Sequence, residues 1–123
     1  MSSVPDNLQY TKDHEWTQIT QGVATVGVTD HAQHELGDIV FVELPKVGAT
    51  LKAGESFGTI EAVKTVAELY APVTGTVTEV NTALATDAGV INTDPYGKGW
   101  ILKVTVEGAP EDLLDAAAYQ KLI

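Results

Sequence analysis

Short apolar runs closed by Gly, Pro or Asn follow one another from Trp16 to Val106, and that rhythm constrains the fold more than any other feature of the sequence. Runs this short bury themselves by pairing edge to edge rather than along a helical stripe. Trp16-Thr17-Gln18-Ile19 and Val23-Ala24-Thr25-Val26-Gly27-Val28 flank Thr20-Gln21-Gly22, a hairpin turn sequence, and Ala24, Val26 and Val28 alternate onto one face. The most apolar strand is expected over 39–44, ended by Pro45, with later strands over 57–61, 66–70, 75–80 and 100–106. A short helix is expected over 30–36. Thr29 or Asp30 would cap it, Gln33 sits three after Asp30 as in a capping box, and Gly37 would stop it. A second helix is expected over 110–122, with Pro110 in its first turn, acids behind it and Lys121 near its end. Its packing stripe would be Leu113, Leu114, Ala117, Ala118 and Leu122. The pattern is mostly β, a small sandwich or barrel, and 123 residues suit one domain spanning 1–123.

A faint internal repeat runs through it. Val47 to Gly54 and, more distantly, Val80 to Gly89 each form a loop that passes a Leu, closes on Gly and should precede a strand.

Charge narrows the function. Seventeen acidic residues oppose seven basic ones for a net charge of −10, and every basic residue is Lys. Without Arg, the usual reader of phosphate and guanine, nucleic-acid binding is set aside. An acidic surface favours partners with basic docking patches instead. The absence of Cys removes disulfides, iron–sulfur and Cys zinc sites and a Cys nucleophile together. The start of the chain has no signal- or transit-like pattern, so a cytoplasmic location is expected. No apolar run approaches membrane-spanning length. His31 and His34, three apart on the short helix, could share a face, but no further ligands complete a metal site, and helix-surface or cap roles are expected for them. Trp16, Trp100 and Phe41 read as core residues. No phosphate-binding Gly loop and no nucleophile–base constellation appears at a recognisable spacing.

One residue stands apart. In Glu61-Ala62-Val63-Lys64-Thr65-Val66-Ala67-Glu68, apolar strands run in and out around Lys64, and Gly54 and Gly75 fall at nearly equal distances before and after it. That spacing suits a lysine at a hairpin tip, where its amine can enter another enzyme's active site and be acylated by an activated carboxylate. On spacing alone, a plain solvated turn lysine is the stronger reading.

The stretch Glu61-Ala62-Val63-Lys64-Thr65, continued by Ala71-Pro72-Val73-Thr74-Gly75-Thr76-Val77-Thr78-Glu79-Val80-Asn81, resembles the lipoyl-attachment motif of the glycine cleavage system H-protein family. Further blocks agree along most of the chain: His14-Glu15-Trp16, 26–33, 36–45, Gly48, 91–97 with Gly99-Trp100, and Leu113-Leu114-Asp115 with Tyr119. Departures are small. Ala62 stands where many members have Ser, Thr65 where Ala is common, and His34-Glu35 falls in a variable part of the helix. The resemblance implies a barrel-sandwich hybrid of two antiparallel sheets and a carrier rather than a catalyst, with lipoate amide-linked to Lys64. It implies three partners: a glycine-decarboxylating P protein that loads an aminomethyl group, a T protein (aminomethyltransferase) that takes its methylene, and an L protein (dihydrolipoamide dehydrogenase) that reoxidises the dithiol. Lipoylating enzymes are a fourth, and Glu61 is a candidate for their recognition. Glu15, Glu68 and His31 match positions around a cleft for the loaded arm, where carboxylates would shield a cationic amine. A monomer is expected. The alternatives are a biotinyl domain, which flanks its lysine with Met where this chain has Val63 and Thr65; a 2-oxoacid dehydrogenase lipoyl domain, which places Asp where Val63 stands; a lipoyl relay protein; and a binding module with Lys64 unmodified.

Overall fold

Strand pairing begins with the hairpin that the sequence announces. In the computed structural model, which describes residues 3–108, 110 and 113–123, β2 (Glu15–Thr20) and β3 (Val23–Val28) pair antiparallel across Gln21-Gly22. Both turn residues have positive φ, 52° and 80°, which matches the right-handed twist of the strands. β1 (Gln9–Tyr10) lies outside β2. β9 (Leu102–Val106), β8 (Gly75–Val80) and β5 (Thr50–Leu51) extend the other side, giving a six-stranded sheet in the order β1-β2-β3-β9-β8-β5. β4 (Ile39–Glu43), β6 (Ser56–Ala62) and β7 (Val66–Tyr70) form a second, three-stranded sheet in that order. The two antiparallel sheets do not close into one barrel.

The main core takes residues from both sheets. Ala24, Val26 and Val28, the predicted alternating face, are buried with Leu102 and Val104 from one sheet and Ile60 and Leu69 from the other. Trp16 and Gly27 are directly paired, and the indole lies so close over the glycine that a Cβ there would fall 2.5 Å from Nε1, which donates to the Pro95 carbonyl at 3.0 Å. Only glycine leaves room for the ring.

α1 (Asp30–Leu36) has the predicted bounds. Thr29 is its cap, accepting from Ala32 N–H, while the Gln33 side chain donates to the Asp30 carboxylate instead of reaching back as in a capping box. The second loop of the apparent repeat departs from expectation. It forms a 3₁₀ turn (Thr82–Ala85), and Gly89 leads into α2 (Val90–Thr93) rather than a strand. Leu51 and Leu84, the leucines of the two loops, are both buried.

The C-terminal helix also departs. α3 spans only Ala116–Leu122, capped by Asp115; Glu111 and Asp112, part of the expected helix, lie outside the described residues. Leu114 is extended, because its N–H and C=O are both taken by Tyr10 at 2.7 and 2.8 Å. Of the expected leucine–alanine stripe, Leu114 packs inward, while Ala117, Ala118 and Leu122 are exposed. Ala116 and Tyr119 also face inward, in a smaller cluster with Leu8, Tyr10 and Trp16. The Tyr119 ring stacks on Tyr10 with centroids 4.7 Å apart, a larger contact than alanine methyls provide, and it sets the helix's rotation.

Candidate functional site

β6 and β7 are joined by Val63-Lys64-Thr65, and Lys64 is exposed there. The Ala62 N–H donates to the Thr65 carbonyl at 2.8 Å, closing the hairpin. The tip does not stand free. Val63 N–H donates to the Asp38 carbonyl at 2.9 Å, fastening the hairpin to the loop between α1 and β4. Gly37 in that loop has φ 82° and lies under the lysine stem, where an added Cβ would meet Lys64 Cε at 3.1 Å. Asn92 of α2 holds the loop: its Nδ2 donates to the Gly37 carbonyl at 2.8 Å and to Gln33 Oε1 at 3.0 Å, and its Oδ1 accepts from Ile39 N–H at 2.9 Å. The root of the lysine is thus fixed while its amine reaches solvent.

Beside the hairpin is a cleft of about 150 Å³ between β2, α1 and β7. Its floor is apolar, from Val28, Ala32, Leu36 and Ile60, and its polar lining is Asp13, His14, Glu15, Glu35 and Glu68. Glu15 is 2% exposed. It accepts from the Thr11 hydroxyl at 2.7 Å and from the Tyr70 backbone N–H at 3.2 Å, so it occupies a donor on the outer edge of β7. Burial pushes its carboxyl up to about 8, and those two hydrogen bonds oppose the rise. Behind it His14, in left-handed backbone at φ 68°, shares a hydrogen bond from Nδ1 with Tyr119 Oη at 2.8 Å, and the same hydroxyl reaches Thr29 Oγ1 at 2.7 Å. Burial, then the neighbouring His31, lowers the His14 pKa.

The structure brings Glu15 and Glu68 together on this cleft. His31 stands one step back, its ring 4.8 Å from His14 and its Nε2 3.7 Å from Glu35. His34 pairs along the helix with Asp30 at 3.7 Å. Among the described residues, no group of three or more His, Cys, Asp or Glu is arranged to hold a metal. Glu61 lies on the outer side of the small sheet, in register with Phe41 and Val66. Phe41, expected in the core, is 46% exposed. A bulge sets two steps of β4, Ile39 to Phe41, against one step of β6, and turns Phe41 outward. Sequence reasoning missed Gly37, Asn92 and Glu35 as parts of the site. In the sequence Gly37 reads as a helix stop and Asn92 as part of a resembling block, and neither reveals a contact made across the fold.

Residues 8–123 match the family described as Glycine cleavage H-protein. A glycine cleavage system H protein of Chlorobium limicola is 57% identical, the match covering 98% of each chain. One from Rubrobacter xylanophilus is 55% identical over 98% of this chain and 95% of its own. The crystal structure of a glycine cleavage system H protein from Mycobacterium marinum superposes with a TM-score of 0.92 at 46% identity, covering 96% of this chain and 97% of that one.

Proposed function

The chain belongs to the glycine cleavage H-protein family, and on that premise we propose that it is a single cytoplasmic lipoyl-carrier domain, with lipoate amide-linked to Lys64. The protein is a carrier of the glycine cleavage system and not an enzyme. The observation that carries the finer reading is the exposed Lys64 on a fastened hairpin tip, next to a cleft with an apolar floor and a carboxylate rim. Those residues fit the group. The floor suits a hydrocarbon and sulfur arm, and the rim suits an amine at its end. When bound, the lipoyl group supplies a sulfur that accepts the aminomethyl group of glycine.

The rest is the work of this chain's residues. The Asp38 and Gly37 contacts hold the root of Lys64 in place, so the arm starts from a fixed point and its end is concentrated at whatever active site docks there. Glu15 and Glu68 shield a cationic amine in the cleft. Glu15 meets that amine in an environment that disfavours an unpaired charge, so the arriving cation draws it into the ionised form. His14 walls the cleft, with His31 supporting it from behind. Glu61, beside the tip, helps the lipoylating enzyme recognise the hairpin. The P, T and L proteins are the three enzymes that meet the arm, and the carrier serves them as a monomer.

Intact mass and peptide mapping of the protein from its native source test the attachment. A lipoyl-sized increment on the Lys64 peptide is expected; a biotin-sized increment, or none, overturns the reading. The lipoylated protein should also support P-protein-dependent exchange of the glycine carboxyl group with bicarbonate. Lipoylated protein without exchange would point to a relay of lipoate instead.

A further inference from the structure

One residue touches both of the acids assigned to the cargo. Tyr70 donates its backbone N–H to Glu15 Oε2 at 3.2 Å and its phenol O–H to Glu68 Oε2 at 3.2 Å. β7 is an edge strand, so Glu15 of β2 can reach a backbone donor on its open side. Side chains two apart on a strand share a face, which sets the Tyr70 ring beside Glu68. The two carboxylates are held unequally. Glu15 is buried and also accepts from Thr11, so its place does not depend on the Tyr70 ring. Glu68 is exposed; among the described residues it makes no ion pair, and the phenol is its side-chain partner. Without that bond, a glutamate on an open edge turns among its rotamers and loses that freedom only when a cation arrives.

We propose that Tyr70 is a positioning residue for the cargo: its phenol fixes Glu68 at the cleft, so that the amine on the arm meets two carboxylates already in place rather than Glu15 alone. The inference rests on the carrier reading and adds to it a residue that the resemblance did not supply. Glu68 is ordered in the folded protein before the amine comes, which strengthens the ion pair that forms there. The phenol stays a donor, because the hydrogen bond to Glu68 and the charge of that carboxylate, with smaller effects from Asp13 and Glu15, raise the Tyr70 pKa above its ordinary 10. A primary ammonium has three N–H donors and can pair with both carboxylates at once. Keeping the amine in that form is what protects it. Loss of the group begins when the electron pair of a neutral nitrogen forms a C=N bond while the C–S pair leaves on sulfur. A protonated nitrogen has no pair to give, and nothing is oxidised or reduced.

The contact is tested first in the unmodified full chain, with tyrosine Cζ labelled and titrated by NMR. Glu68→Gln should bring the Tyr70 midpoint down toward the ordinary value of 10 and leave Tyr10, Tyr96 and Tyr119 where they are. A Tyr70 that titrates alike in both chains overturns the inference. The consequence is tested in the lipoylated chain, loaded from glycine by the P protein and then isolated, by following ammonia release. Tyr70→Phe keeps the ring and the backbone bond to Glu15, and should shorten the lifetime of the aminomethyl group about threefold, the scale of one hydrogen bond. Glu68→Gln should shorten it at least as much, and Tyr70→Phe added to Glu68→Gln should shorten it no further, because the phenol acts through that carboxylate. Thermal melts check that each variant folds, and for one that does not, the Cζ titration of Glu68→Gln decides. A lifetime unchanged by Tyr70→Phe overturns the inference, as does an equal fall whether residue 68 is Glu or Gln. If the unaltered chain takes no lipoyl group, or none of it is loaded from glycine, the carrier reading falls; if it loads and Tyr70→Phe is silent, only the role of Tyr70 falls.

Discussion

Glu15 is costly to the fold and useful to the site for the same reason. Its carboxyl is pushed up to about 8 by burial, above the unfolded value of 4.5, so folding favours its protonated form. Stability from this group is fully present below pH 4.5, declines as the unfolded chain ionises, and is lost by about pH 8. Glu15→Gln cannot ionise, so its melting temperature relative to the unaltered protein should climb between pH 4.5 and pH 8 and level off above, a comparison calorimetry at several pH values makes directly. The same substitution should hasten loss of the aminomethyl group from isolated loaded protein, because the amine then lacks its buried counter-charge. An unchanged lifetime would remove Glu15 from the shielding role. At Gly27 the constraint is steric. Gly27→Ala drives a methyl into the Trp16 ring and should cost about 1–3 kcal/mol in urea unfolding, with a change in tryptophan emission.

Among the elements, the β2–β3 hairpin and α1 were legible because their signals are local: a Gly in the turn, a Thr cap, a Gly stop. α3 was misread because Leu114 gives its backbone to Tyr10, a partner distant in sequence, and propensity yields to that pairing. Phe41 was misplaced because a bulge is a property of two strands, and one strand's sequence does not display it. Lys64 stood out by turn spacing, but only the resemblance raised it above an ordinary turn residue. Glu15 and Glu68 likewise came from the resemblance: a buried carboxylate such as Glu15 runs against every compositional expectation, and Glu68 is one exposed acid among many. Tyr119 shows what α3 contributes. Its hydroxyl ties Thr29 to His14, so Tyr119→Phe leaves both short of a partner and should lower stability by about 1–2 kcal/mol, read by urea denaturation, with the cleft wall loosened in hydrogen exchange of His14 and Glu15 amides.

On the scale of the whole molecule, the −10 net charge is not spread evenly, since the strands β4, β6 and β7 have Glu43, Glu61 and Glu68, and the one base of that sheet is Lys64 in its turn. Association with basic partners should therefore slow as salt rises; going from about 0.01 M to 0.15 M shortens the screening length from about 30 Å to 8 Å, and stopped-flow association rates should drop across that range. Among the described residues, no helix is long and apolar enough to cross a membrane. The wall behind the cleft joins residues near both extremities of the chain: Tyr10 pairs with Leu114, and Tyr119 reaches His14. A ribosome therefore releases the complete β4–β6–β7 unit, lysine included, while the helix that backs the cleft is still untranslated. On the proposed carrier function, a modifying enzyme would thus meet the amine before the wall behind the cleft is in place.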